Sequence, residues 1–144
     1  MTKGWKLESA RHALARKGIE TKQTKIPFKD ERKEFAALSD ERAKELIQEA
    51  IKQLNLYKKT NTYSSFSQAN EKGWLAFKQK LSSIAERNLV KSGQIKEFVK
   101  RNPKYYTVFT SAVAMHNQSL PAGDILPPAE IIEQYLKDVA RFVK

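Results

Sequence analysis

The sequence predicts an all-α protein, a bundle of four to five helices that carries a basic, partly extended N-terminal arm. Apolar residues recur at the three-to-four spacing of a buried helix face in several successive segments. Alternating runs flanked by Asn-Gly or Asp-Gly, which would indicate β-hairpins, are missing. A chain of 144 residues is long enough for one domain with a core and short for two.

The arm is predicted from its charge. The first 36 residues hold ten Lys or Arg and five acidic residues, with little apolar periodicity, which is typical of a solvated cationic extension. Residues 19–37 mix polar residues with scattered apolar ones and predict an extended connector whose shape depends on a partner. The chain is therefore divided into a basic arm at 1–37 and a helical bundle at 38–144.

One short helix is expected inside the arm, from Leu7 to Lys17. Leu7, Ala10 and Leu14 form its apolar stripe, and Gly18 suits the left-handed position that ends a helix.

The first helix of the bundle is expected from Ser39 to about Tyr57. Ser39 is a good N-cap, and Asp40 and Glu41 lie where the positive end of the helix dipole favours acidic side chains. The predicted buried stripe is Ala43, Leu46, Ile47, Ala50, Ile51 and Leu54.

A polar stretch at 58–70 is predicted to separate this helix from the next one. The apolar face of that second helix is Trp74, Phe77, Leu81, Ile84, Ala85 and Leu89. Ser92-Gly93 then opens a short helix, whose inward residues are Ile95, Phe98 and Val99.

Proline and glycine divide the remainder of the bundle. Asn102-Pro103 ends the short helix and begins another, because proline suits the first helical position. A loop is expected at 117–127, and the last helix starts at Pro128. The inward residues of the two helices are predicted to be Tyr106, Phe109, Ala112, Val113 and His116 in the first, and Ile131, Ile132, Tyr135, Leu136, Val139, Phe142 and Val143 in the second.

No pattern indicates catalysis. The chain has no cysteine, and His12 and His116 lack metal-ligand spacing. No nucleophile elbow, phosphate loop or dinucleotide fingerprint is present. We therefore expect no enzyme activity, no metal and no cofactor. His116 is predicted to be a half-buried core residue, and His12 to contact solvent or phosphate.

The location is predicted from what the sequence lacks. No run of about 18 apolar residues occurs, and the N-terminal residues have no apolar signal region. We expect a cytoplasmic or virion protein with no membrane span and no signal peptide.

The net charge of +11 is concentrated in two segments, which predict a polyanion as partner. The predicted phosphate contacts in the arm are Lys3, Lys6, Arg11, Arg16, Lys17, Lys22 and Lys25. The predicted contacts in the second segment are Lys72, Lys78, Lys80, Arg87, Lys91, Lys96, Lys100 and Arg101, with Lys104 beside them.

Specific base reading is not indicated, because no helix-turn-helix pattern is present. Trp74 and Tyr105 have the chemistry to stack on bases, although core packing is favoured for Trp74. Trp5 lies in the arm, where it is expected to dock on a neighbouring subunit or in a nucleic-acid groove.

Residues 65–77 carry a resemblance to a known family. Ser65-Phe66-Ser67-Gln68, followed by Lys72-Gly73-Trp74 and Phe77, resembles a segment of the coat proteins of rod-shaped and filamentous archaeal viruses. The resemblance implies a nucleocapsid subunit whose arm wraps double-stranded DNA while the helical bundles pack along a filament.

Two functions follow from the sequence. The first is a sequence-tolerant nucleic-acid-binding or packaging protein, which favours double-stranded DNA over RNA and associates with itself or a related subunit. The alternative is a non-enzymatic helical interaction module whose basic arm binds an acidic protein.

Overall fold

The computed structural model describes residues 28–118 and 126–144, and every regular element in them is helical. The predicted all-α class is confirmed. Five α-helices and one 3₁₀ turn follow one another in these residues: α1 Phe28–Thr60, α2 Tyr63–Ala85, α3 Ser92–Arg101, the turn Pro103–Tyr105, α4 Tyr106–Gln118 and α5 Ala129–Val143. Within the described ranges, no helix combines the length and apolarity needed to cross a membrane. The predicted helix at 7–17 lies outside them.

Helix α1 begins well before the predicted start. Ser39 is not an N-cap but a residue inside the helix, with 5% of its surface exposed. The preceding residues are mostly Lys, Glu, Arg, Ala and Phe, without glycine or proline, and several of these are strong helix formers. The predicted connector is therefore wrong over 28–37, which is helical. A separate role for residues 1–37 stays a prediction.

The predicted polar separator at 58–70 is also wrong, because only Asn61 and Thr62 lie between α1 and α2. Asn61 has a φ of 54°, in the left-handed region that asparagine tolerates, and its N–H donates to the Tyr57 carbonyl at 2.8 Å. The Tyr57 and Phe66 rings lie 5.4 Å apart across this turn. Phe66 thus anchors the start of α2 from within a polar stretch.

Polar contacts hold α1 and α2 together as an antiparallel pair. Lys80 Nζ lies 2.6 Å from Asp40 Oδ1, and Lys72 Nζ lies 3.2 Å from Glu49 Oε1. Ser83 Oγ donates to the carbonyl of Ala36 at 2.6 Å. Ala36 precedes Ser39, the predicted start of the helix, so the first turns of α1 also pack on α2.

Helix α2 is the centre of the bundle, because it packs against α1, α4 and α5. Phe77 is completely buried, and its ring meets Phe109 of α4 at 6.1 Å and Phe142 of α5 at 5.6 Å. Gly73 lets α4 approach, since a Cβ there would lie 2.6 Å from Met115 Cε. Trp74 is a buried core residue, as predicted.

Several residues predicted to face inward are exposed. These are Ile51, Ile84, Tyr106 and Ile131. Ile51 lies beside Ala50 and Ile131 beside Ile132, and both of these neighbours are completely buried, so these two exposed isoleucines lie at the edge of the apolar stripe. The wide stripes of amphipathic helices therefore exceed what the bundle covers.

The Asp40 and Lys80 contact predicts a dependence of stability on pH. The hydrogen bond from Lys80 holds the pKa of Asp40 below its usual value of 3.8. A carboxylate with a lowered folded pKa stabilises the protein above its unfolded pKa, and this is lost as pH falls through the folded pKa. The free energy of unfolding of wild type should exceed that of Asp40→Asn near neutral pH, and the difference should shrink below about pH 4.

Urea unfolding at several pH values measures this difference. Glu41→Gln, at the exposed neighbouring position, is the matched control for the loss of one carboxylate on α1. A difference between wild type and Asp40→Asn that stays constant down to about pH 2.5 contradicts the assigned role of the ion pair.

Candidate nucleic-acid interface

The predicted cations at 72–104 divide into three groups in the structure. Lys72 and Lys80 point toward α1, where each pairs with an acidic side chain. Both are only partly exposed, with 28% and 20% of their side-chain surface accessible. These two lysines hold helices together, and a role for them in binding stays a prediction.

Lys78 is packed on a different part of α2. Its Nζ lies 5.8 Å from the centre of the Trp74 ring, in a cation–π contact. Burial lowers the pKa of Lys78, and the nearby Glu71 carboxylate opposes that shift. Its charge is therefore partly enclosed by the bundle.

The remaining cations form what we call the α3 basic surface. Residues 87–104 contain a single acidic residue, Glu97, and six basic residues that are all exposed. The six are Arg87, Lys91, Lys96, Lys100, Arg101 and Lys104.

The amphipathic pattern of α3 points outward the three cations that lie on this helix. Ile95 and Val99 are buried, and Phe98 packs partly against the core. Lys96 and Lys100 are one turn apart on the exposed side. The apolar residues thus orient the charged ones, as the sequence predicted.

The segment that leads into α3 is held by hydrogen bonds. Glu86 ends α2 in the left-handed region, with a φ of 57°. The Leu89 N–H donates to Ser82 Oγ at 3.0 Å, and the Gln94 side-chain oxygen accepts from the N–H groups of Val90 and Lys91, both at 3.0 Å. The surface is therefore a fixed part of the bundle, not a free tail.

Most of the positive charge here is not neutralised internally. Arg101 Nε lies 3.2 Å from Glu97 Oε2. Arg87, Lys91, Lys96 and Lys100 have no ion-pair partner among the residues that the structure describes. Such a surface attracts anions from solution.

Aromatic residues border the α3 basic surface on its C-terminal side. Lys104 Nζ lies 5.3 Å from the centre of the Tyr105 ring. Tyr105 stacks on Phe98 at 6.2 Å and meets Phe142 edge-on at 5.6 Å. Tyr106 points outward, with 61% of its surface exposed.

The prediction that Tyr106 faces the core is therefore wrong. The 3₁₀ turn Pro103–Tyr105 has three residues per turn and changes the register before α4 begins. Tyr105 takes the inward position instead. Asn102-Pro103 in the sequence indicated a break between two helices, but it did not indicate which of the two adjacent tyrosines faces the core.

Arg141 is a basic residue that the sequence prediction missed. It lies with Lys104 and Tyr105 along a shallow cleft of about 390 Å³ between α5 and the turn before α4. The Asp138 carboxylate accepts hydrogen bonds from Arg141 Nη2 at 2.5 Å and from Ser111 Oγ at 2.7 Å. The sequence of α5 gives no sign that Arg141 lies near other basic residues, because Lys104, which lines the same cleft, is far away in the chain.

The predicted contacts of the arm, from Lys3 to Lys25, lie outside the described residues, as do Trp5 and His12. His116 is half-buried, as predicted, and its ring stacks on Trp74 at 4.7 Å. Among the described residues, no three His, Asp or Glu side chains are grouped so that they could hold a metal ion.

Comparison of this chain with protein-family models, curated proteins and solved structures gives no match. The resemblance to archaeal virus coat proteins therefore stays a prediction. In the structure, five residues that carry it are buried in α2, namely Ser65, Phe66, Gly73, Trp74 and Phe77. Their place in the core gives them a packing role that does not depend on a family.

Proposed function

We propose that this protein binds nucleic acid with little sequence preference and contacts phosphates through the α3 basic surface. One observation carries the proposal: six exposed basic residues and one acidic residue occupy the 18 consecutive positions of α3 and its two flanking turns, and α3 packs against the core. An ordinary protein surface intersperses acidic and basic residues, so this excess of basic residues in one segment is not needed for solubility.

The dimensions of α3 suit a phosphate backbone. A helix of ten residues is about 15 Å long, so it spans about four phosphates of one strand, at about 3.4 Å each along a duplex axis. Contacts from lysine and arginine to phosphates carry no information about base sequence. The expected binding is therefore sequence-tolerant.

The same proposal extends to packaging of double-stranded DNA by self-associating subunits, in the cytoplasm or in a virion. Its support is the sequence: the basic arm as a second contact and the resemblance at 65–77. Electron microscopy of the full chain with and without duplex DNA tests this extension. Regular filaments that need DNA support it, whereas isolated particles on bare DNA contradict packaging but not binding.

An acidic protein is the competing partner for the same charge. Purification separates the two alternatives, because bound nucleic acid raises the ratio of absorbance at 260 nm to that at 280 nm and a high-salt wash lowers it again. A ratio typical of pure protein at every salt concentration, together with co-purification of an acidic protein, favours the alternative.

Binding is expected to depend steeply on salt. Each phosphate neutralised contributes a slope of about −0.9 to the plot of log affinity against log salt for a duplex. Six contacts therefore predict a slope near −5, and duplexes of unrelated sequence should bind within a few-fold of each other. Fluorescence anisotropy at several salt concentrations measures both quantities, and an affinity independent of salt contradicts the proposal.

A further inference from the structure

We infer that Tyr106 stacks on an unpaired base, so that the α3 basic surface takes single-stranded nucleic acid in preference to duplex. This inference rests on the proposed function and specifies its substrate class. It departs from the duplex that the sequence resemblance favours, because it is drawn from an aromatic side chain that only the structure exposes.

The position of Tyr106 is unusual for a tyrosine that begins a helix of a bundle. Its exposure of 61% is the highest among the large apolar side chains of the described residues. Its ring lies 6.5 Å from the Phe109 ring, so an aromatic neighbour supports it from below. A supported, exposed ring loses little side-chain freedom on binding and offers a face to a base.

Three basic residues precede Tyr106 in the chain, within the reach of a short oligonucleotide. Lys104 is two residues away, and Lys100 and Arg101 lie at the end of α3. Six chain positions span at most about 20 Å, so all three lie within a few nucleotides of Tyr106. Single strands are commonly bound by this combination of a basic surface and an aromatic side chain.

A duplex cannot use this aromatic side chain in the same way. Its bases are paired and stacked inside the helix, whereas a single strand presents free base faces. Phosphate contacts from α3 are available to both polymers. Tyr106 is therefore the residue expected to discriminate between them.

The test compares a fluorescein-labelled 12-nucleotide oligo-dT with a labelled 12-base-pair duplex, using anisotropy at fixed salt. Wild type should bind the single strand more tightly. Tyr106→Ala should weaken binding of the single strand by about 5- to 150-fold, the range for loss of one base–aromatic stack, and change duplex binding less than about twofold. Tyr106→Phe, which keeps the ring, should retain the single-strand affinity within about twofold.

Tyr63→Ala is the matched control. Tyr63 is an exposed tyrosine at the first residue of α2. Helix α4 runs antiparallel to α2, since Phe77 meets Phe109 and Gly73 lies against Met115. Tyr63 is therefore about 20 Å or more from Tyr106 along the bundle, and its replacement should change neither affinity.

The outcomes separate the inference from the function on which it rests. If wild type binds both probes and Tyr106→Ala leaves the single-strand affinity unchanged, the inference is overturned and the proposed function stands. An equal loss for both probes also overturns the inference, because it shows no discrimination. If wild type binds neither probe, the proposed function itself is overturned.

Discussion

Replacing Lys96, Lys100 and Lys104 together with glutamine is expected to weaken duplex binding at least about tenfold at about 0.1 M salt. Each lost phosphate contact should also reduce the salt slope by about 0.9, so the slope should fall by up to about 2.7. The reason is that these lysines are exposed and belong to the segment 87–104, which holds six basic residues and one acidic residue. Anisotropy titrations at several salt concentrations measure both effects.

The matched control removes the same charge elsewhere. Lys52, Lys59 and Lys137 are exposed lysines on α1 and α5, and their triple replacement by glutamine should reduce affinity much less. Equal losses in the two triple variants indicate that net charge attracts the polymer and that α3 has no special role. Unchanged binding in both triple variants contradicts the role of the α3 basic surface and favours residues 1–27 as the main contact.

Replacing Phe77 with alanine is expected to lower the free energy of unfolding by about 3 to 5 kcal/mol. Phe77 is completely buried and touches aromatic rings of three elements: Trp74 of α2 at 6.0 Å, and the α4 and α5 phenylalanines described above. Its removal leaves a cavity where these helices meet. Such a loss is a large part of the stability of a small domain, which is about 5 to 15 kcal/mol.

Urea unfolding followed by circular dichroism measures this loss. Ile84→Ala on the same helix is the control, because Ile84 is 38% exposed and its truncation should cost about 1 kcal/mol or less. A Phe77→Ala variant as stable as Ile84→Ala contradicts the central position of α2.

The elements that the sequence predicted best are those bounded by local signals. The start of α3 at Ser92, the break at Asn102-Pro103 and the start of α5 after Pro128 agree with the structure. Proline and glycine restrict or free the backbone at their own position. Their effect therefore needs no information from the rest of the chain.

The starts of α1 and α2 could not be predicted in the same way. Ser39 is a good N-cap by residue type, but Asp40 next to it pairs with Lys80 and the earlier turns pack on α2. Phe66 and Ala69 are buried in the core although they belong to the polar stretch at 58–70. In both places the packing of two helices decided the boundary, and at the start of α1 that packing joins residues 40 and 47 positions apart.

The all-α class, the helical faces of α3 and α5 and the excess of positive charge at 87–104 were determined by the sequence alone, because periodicity and charge are properties of neighbouring residues. The tertiary structure alone decided which cations remain available. Lys72 and Lys80 on α2 pair with acidic side chains of α1. Tyr105, and not Tyr106, faces inward, where it packs on Phe98 and Phe142. A side chain's exposure depends on what packs against it, and residues distant in the chain supply those contacts.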